Sequence, residues 1–278
     1  MVILFGNGKL GKACYKYFSS KEVLLVWWTR NNIDLSQITY SQLVEQINTI
    51  GGGYFINTTA YTDVNQAEYA RDLAYKVNAS GVLKIAQACS VTNKHLIHVS
   101  TDYVFDGQKD MSQAYVESDI TNPINWYGQT KLVGEEYIKD SGCRYSIVRT
   151  TRLYDDDSGL IPGLMEKIKS TKEPISAAND QKITPTHADD LAKQIYLIYR
   201  NKLQGTFHAA AKDPVTPYDL ITHLAKEMKV SIDIWETAAF YIFKNQASRP
   251  KNCILKNQKL QDLGLDVMKT WVASIKWK

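Results

Sequence analysis

Cysteine is scarce and scattered: Cys14, Cys89, Cys143 and Cys253 are far apart and form no Cys-x-x-Cys pair. That argues against a disulfide framework and suits reduced thiols in a cytosolic protein. His95, His98, His187, His208 and His223 show no mutual ligand spacing on one element, so no metal is expected. Long apolar runs are missing too. The opening stretch Val2-Ile3-Leu4-Phe5 stops at Gly6, far short of a signal segment or membrane span. A cytoplasmic chain with no membrane partner is the expectation. A concentrated basic stripe is also absent, because a net charge of +4 is spread among acids, which argues against nucleic acid and leaves anionic small molecules. The chain shows no internal repeat, low-complexity tract or long linker.

What is present can bury a large core: 278 residues with 44% hydrophobic content allow one domain with a substantial lobe, or two small ones. Short apolar runs at 2–5, 23–28, 54–56, 96–99 and 145–148 alternate with helical patterns, including a long one over 64–91. This βαβ rhythm predicts an α/β fold, a Rossmann-type doubly wound parallel sheet with ligands at the C-terminal strand ends. Residues 1–150 would form it, with segments near 180–210 returning to it, and 151–278 would form mainly a smaller α/β substrate lobe. Thr186 before Asp189, and Thr216 before Pro217 and Asp219, read as helix starts. The aromatics Trp235, Phe240, Tyr241 and Phe243 read as lobe core rather than a dimer face.

Directly after the first run comes Gly6-Asn7-Gly8-Lys9-Leu10-Gly11, opening a helix. In this position Gly-x-Gly-x-x-Gly predicts a dinucleotide cradle: a tight turn, close backbone approach to pyrophosphate, and close helix–strand packing. At the end of the second run, Trp28-Thr29-Arg30-Asn31-Asn32 lacks the carboxylate that would hold the ribose hydroxyls of NAD. Arg30 suits a 2′-phosphate, so NADPH is favoured over NADH, which stays open. Asp34 is placed to border the adenine.

Tyr127 and Lys131 lie four residues apart in Asn125-Trp126-Tyr127-Gly128-Gln129-Thr130-Lys131, hence on one helical face. An isolated tyrosine has a pKa of about 10, and bringing it near neutrality takes about 4 kcal/mol, which a neighbouring ammonium helps to supply. The pair therefore suggests a phenol that protonates a carbonyl as hydride arrives. Tyr17 and Lys21 repeat the spacing, but no Ser/Thr-bearing strand end precedes them, so they read as surface.

These residues, in order, resemble the extended short-chain dehydrogenase/reductase superfamily, and within it the dTDP-4-dehydrorhamnose reductase family. The blocks that carry the resemblance are the Gly-rich loop, Asn57 through Val64, Val77-Asn78-Ala79, Ser100-Thr101-Asp102-Tyr103-Val104-Phe105, Asn122-Pro123 through Lys131, Arg149-Thr150, Asn179-Asp180-Gln181, Thr184-Pro185-Thr186 and Arg249-Pro250. The likeness implies a catalytic set of Thr101, Tyr127 and Lys131, with Asp102 adjoining. It implies cofactor contacts from Gly6, Asn7, Gly8, Lys9, Leu10, Gly11, Arg30, Thr58, Thr59, Ala60, Asn78 and Lys131. Tyr103, Phe105, Arg152, Gln181 and Pro185 would meet the substrate. It further implies a nucleotide-linked 4-keto-6-deoxy sugar as substrate, surface polysaccharide synthesis as its setting, and a homodimer as one possible assembly.

Three positions depart from the family's usual pattern. The first loop is one residue shorter; Thr58-Thr59 stands where Ala-Ala is usual; and Arg152 takes the place of a Trp in Arg149-Thr150-Thr151-Arg152-Leu153-Tyr154. An Arg offers a charge and a donor fork where a Trp offers a stacking face, which would alter the sugar pocket. Two alternatives stand beside the reductase: an epimerase or dehydratase on the same fold, and a non-catalytic NADP-binding regulatory subunit resembling that of methionine adenosyltransferase.

Overall fold

The computed structural model describes residues 1–239 and 246–277. Period-2 alternation decides the layering. Along β1 (Val2–Phe5), Val2 and Leu4 join one core cluster while Ile3 and Phe5 join another on the opposite face. The first cluster holds Leu10, Ala13, Cys14 and Phe18 of α1 (Lys9–Ser19). Into the second go Leu43 and Ile47 of α2 (Tyr40–Thr49), which follows β2 (Leu25–Trp28). Each such buried side chain contributes about 1.5–3 kcal/mol, so both faces need helices to cover them.

β3 (Tyr54–Asn57) leads into a helical stretch expected to be continuous, and the structure breaks it. α3 (Val64–Tyr69) ends at Ala70, whose ψ of 49° leaves the helical region, and α4 (Arg71–Tyr75) restarts there. A π turn over Lys76–Ser80 follows before α5 (Gly81–Val91). The wider turn faces Asn78 inward, where its amide bonds Tyr61 N–H, Tyr61 C=O and the Thr130 hydroxyl.

β4 (His95–Thr101), α6 (Trp126–Asp140) and β5 (Arg144–Thr150) complete the first half of the fold. Beyond them lie β6 (Leu153–Tyr154), α7 (Leu160–Ser170), β7 (Ile175–Ala178) and β8 (Thr186–His187). α8 (Ala188–Arg200) and β9 (Gly205–His208) then pack on the main sheet. α9 (Pro217–Glu227) and β10 (Ile234–Thr237) belong to the outer lobe, whose own cluster includes Ile161, Ile168, Ile175, Leu220 and Leu224.

The main sheet runs β2-β1-β3-β4-β5-β9, parallel throughout. Strand order reverses between β1 and β3, and a crevice opens at that switch point. The α/β doubly wound architecture expected from the sequence is therefore the observed one. Among the described residues, no helix is long and apolar enough to cross a membrane.

Local details differ from expectation in two places. Thr216 caps α9 as expected, accepting from Asp219 N–H with Pro217 in the first turn. Thr186 does not cap α8: its hydroxyl is taken by Ala211 N–H and Thr151, and His187 Nδ1 caps Asp189 N–H instead. Trp235 is not core but 61% exposed, because the alternation of β10 turns it outward from the two-stranded β7–β10 ribbon. Phe240, Tyr241 and Phe243 lie outside the described residues.

Candidate active site

The C-terminal end of β4 and the start of α6 bring the catalytic candidates together. Thr101 closes the strand; its hydroxyl accepts from Tyr103 N–H and donates to Asp102 Oδ1 at 2.9 Å, fixing the turn. Asn125 caps α6 by accepting from Gly128 N–H at 2.8 Å, while its amide donates to Ser248 C=O. Gly128 permits the close approach of α6, since a Cβ there would stand 2.2 Å from the Tyr103 carbonyl oxygen. Tyr127 is thereby set beside Thr101, with which it shares a hydrogen bond, and against the edge of the Tyr103 ring at 5.9 Å. Desolvation pushes the Tyr127 phenol above its ordinary pKa, with Thr101 partly opposing. In the open cleft Tyr127 is thus a neutral acid.

Lys131 shares the helical face of Tyr127, but its head group is held elsewhere. Its Nζ donates to Val99 C=O at 2.8 Å and lies 3.1 Å from His98 Nε2. The expected pairing of ammonium and phenol is not what the structure shows. Lys131 is 1% exposed, and burial pulls it down to about 8, with Glu135 partly opposing. Asp102 moves the other way, to about 6, by burial against the opposing pull of Arg152. Tyr17, of the repeated spacing, is not free surface: it packs on Tyr196, with Lys21 over its ring.

A cleft of about 400 Å³ opens over Thr101, Tyr127 and Lys131. It adjoins a second hollow of about 380 Å³, and Gly8, Thr58 and Ala60 line both. The two form one groove along the C-terminal ends of the strands. Gly6, Asn7, Thr59 and Arg30 line its outer half, and Lys9 and Leu10 its inner half. Gly11 stands behind the wall, where a Cβ would fall 2.1 Å from Gly6 O, whereas a Cβ on Gly8 would meet nothing within 4 Å. The shortened loop therefore keeps the close helix–strand contact and an open cradle at the N-terminus of α1, where a phosphate would sit. Gly8→Ala is expected to fold as the parent does but lose NADPH affinity about tenfold or more, whereas Gly11→Ala should lose about 1–3 kcal/mol of stability. Titration by fluorescence, with thermal melts alongside, checks both.

The hydroxyls added by Thr58 and Thr59 turn inward: Thr58 donates to Phe5 C=O and Thr59 to Asn57 Oδ1. Arg30 is exposed and pairs with Asp34 at 3.3 Å on the rim of the outer half. Asn78 is buried behind the groove, bracing Tyr61 and α6 rather than lining it.

Of the substrate candidates, Tyr103 and Arg152 line the cleft. Phe105 does not: it stacks on Tyr115 at 4.3 Å under the Arg149 guanidinium, in the core. The short helical turn over Asp102–Val104 breaks the strand period and rotates Phe105 away. Gln181 is also buried, donating to Pro250 C=O, and Pro185 is buried beside β8. Neither lines the groove. Asp156, His187 and Asp189 lie close enough to share a cation, but Lys276 already bonds both carboxylates.

Sequence reasoning missed Asn57, His98, Glu135 and Arg149 as supports of the site. Glu135 accepts from Arg149 Nε and Nη2 and from the Ser100 hydroxyl, tying α6 to β4 and β5 in the interior. The available signal was a polar residue inside an otherwise apolar strand, as in His95-Leu96-Ile97-His98-Val99-Ser100.

The RmlD substrate binding domain family model matches residues 1–277. A dTDP-4-dehydrorhamnose reductase of Sinorhizobium fredii is 32% identical, over 92% of this chain and 88% of its own length. A crystal structure of a dTDP-4-dehydrorhamnose reductase from Clostridium acetobutylicum superposes with a TM-score of 0.92 at 31% identity, covering 99% of this chain and 96% of that one. The Bacillus anthracis reductase, solved in complex with NADP, gives 0.89 at 29% identity, over 97% and 95%.

Proposed function

The chain belongs to the RmlD substrate binding domain family, and from that premise we propose that it reduces the 4-keto group of a nucleoside-diphosphate-linked 6-deoxy sugar with NADPH, in the cytoplasm, for surface polysaccharide. The observation that carries this reading is Thr101, Tyr127 and Lys131 lining one cleft of a groove whose far half is an open glycine cradle.

The residues fit the cofactor: Gly8 and the first turn of α1 would take the pyrophosphate, Ala60 and Thr59 would flank the chain, and Lys131 would reach the ribose next to the nicotinamide. When bound, NADPH supplies the hydride. Thr101 orients the carbonyl oxygen, and Tyr127 gives that oxygen its phenolic proton as the negative charge develops. Lys131 then favours the phenolate left behind. Arg152, with its guanidinium 5.9 Å from the Tyr103 ring, faces the sugar side and offers N–H donors where the family usually offers an indole face.

The test is NADPH oxidation with several nucleotide-linked 4-keto-6-deoxy sugars. Net consumption supports a reductase, whereas isomerisation or dehydration without net consumption would replace it with an epimerase or dehydratase. Tight NADPH binding without turnover of any such sugar would favour the regulatory reading.

Arg30 gives a separate expectation. If it meets the 2′-phosphate, Arg30→Ala should raise the KM for NADPH about tenfold or more and leave NADH nearly unchanged, because a hydrogen bond to a charged group contributes about 1.5–3 kcal/mol. Equal changes for both cofactors would remove Arg30 from that role.

A further inference from the structure

A buried chain of hydrogen bonds runs from the cofactor groove to the catalytic helix through residues that no step above uses. Thr59 N–H donates to Asn57 Oδ1 at 3.0 Å, and the Thr59 hydroxyl bonds the same oxygen. Asn57 Nδ2 lies 3.1 Å from His98 Nδ1, and His98 Nε2 lies 3.1 Å from Lys131 Nζ. Asn57, His98 and Lys131 are each at most 1% exposed, so solvent does not complete these contacts.

The polarity of this chain is set at one end. A backbone N–H is a donor only, so Thr59 fixes which face of the Asn57 amide is oxygen, and the NH₂ face must meet the His98 ring. An amide NH₂ is likewise a donor only. His98 Nδ1 must then accept, which in a neutral imidazole puts the proton on Nε2, aimed at Lys131. An ammonium has no lone pair to receive it; an uncharged amine has one, and can still donate to Val99 C=O.

We propose that His98 is a positioning residue that holds Lys131 as an uncharged amine in the cofactor-free groove at alkaline pH, through the chain Thr59–Asn57–His98–Lys131. Charging Lys131 requires His98 to move its proton to Nδ1 and Asn57 to turn its amide over, which releases Thr59 N–H into the outer half of the groove. An acceptor group on a bound dinucleotide that takes up this N–H stabilises the turned arrangement. Cofactor binding and proton uptake by Lys131 are thereby coupled.

The electrostatics agree. Burial alone keeps His98 below its ordinary pKa, hence neutral, and a charged Lys131 would only push it further down. Burial lowers Lys131 to about 8, and Glu135, one turn along α6, opposes this while itself engaged by Arg149 and Ser100. Tyr127 is the other titratable group beside it on the same helical face. Above pH 8 the amine form dominates, and below it the chain must turn over.

The proposal rests on the cofactor half of the functional reading and not on the sugar, and its first test needs neither. Nitrogen-15 NMR of the histidine rings in the unliganded protein at about pH 9 should show the Nε2–H tautomer for His98. The Nδ1–H tautomer there would overturn it. Asn57→Asp offers acceptors to both neighbours, so it should switch His98 to Nδ1–H; an unchanged tautomer would also overturn it. Calorimetry of NADPH binding in buffers of different ionisation enthalpy should report uptake approaching one proton at about pH 9 for the parent, and a clear loss of that uptake in Asn57→Asp. Binding without uptake by the parent contradicts the coupling, whereas absence of NADPH binding would count against the functional reading and leave the tautomer result standing.

Discussion

Tyr127→Phe is expected to lower the turnover of NADPH with a 4-keto sugar nucleotide by about 10²–10⁴-fold, the usual contribution of a positioned acid. At room temperature that is about 3–5 kcal/mol of lost transition-state stabilisation. NADPH affinity should stay within about twofold, because the hydroxyl bonds Thr101 rather than the glycine cradle. Stability should change by no more than about 1 kcal/mol, since one hydrogen bond is lost and the ring still packs on Tyr103. Single-turnover absorbance at the nicotinamide band, with binding measured separately, distinguishes this outcome from misfolding. Full activity in the variant would remove Tyr127 from the chemistry.

The pH profile carries a companion expectation with a definite sign. Desolvation raises Tyr127, so the phenol stays protonated across the neutral range and does not set the alkaline limb. Lys131 is lowered to about 8, so the free protein loses its charge as pH rises through that value. kcat/KM for NADPH should therefore fall above about pH 8, up to tenfold for each further pH unit, with kcat less affected.

The repeating pattern of apolar runs and glycines made the sheet and its cradle legible, because both depend on local rules. Val2 to Phe5 must be covered on both faces, and Gly6, Gly8 and Gly11 follow it at the spacing that a strand–turn–helix junction needs. What could not be read depended on where side chains end rather than where they begin. Spacing placed Lys131 on the face of Tyr127, yet its four-carbon stem carries Nζ to Val99 and His98. Tyr103 and Phe105 looked equivalent at a strand end, but the turn between them sends one to the cleft and the other under Arg149. A hydroxyl is the usual sequence mark of a helix start, and the imidazole cap at His187 carries no such mark. Asn57 follows one apolar run and His98 interrupts another, and the contacts that join Asn57 to His98 and His98 to Lys131 span 41 and 33 residues. We propose that α8 and β9 belong with the first 150 residues, because they pack on that sheet.

Glu135→Ala is expected to be the most damaging single change outside the groove, at about 3–5 kcal/mol of stability. The carboxylate is fully buried and receives the Arg149 fork at 2.7 and 2.9 Å together with the Ser100 hydroxyl at 2.6 Å. Its removal leaves the Arg149 guanidinium, 3% exposed on its side chain, without its counter-charge beside the Phe105 ring. For a chain of this size the melting temperature should drop by on the order of 10 °C, measured by calorimetry. The cost comes from the stranded charge rather than from the pair's own attraction, and a second variant separates the two. Adding Arg149→Met to Glu135→Ala removes the orphan, so the double variant should be more stable than Glu135→Ala alone, although a cavity remains. If the double variant were worse by the sum of both single losses, the pair would be acting through packing alone. Activity should follow a different course, because Glu135 lies one turn beyond Lys131 on α6 and its bonds to β4 and β5 hold that helix against the sheet. Restored stability with turnover still depressed would therefore show that Glu135 positions Tyr127 and Lys131 as well as neutralising Arg149.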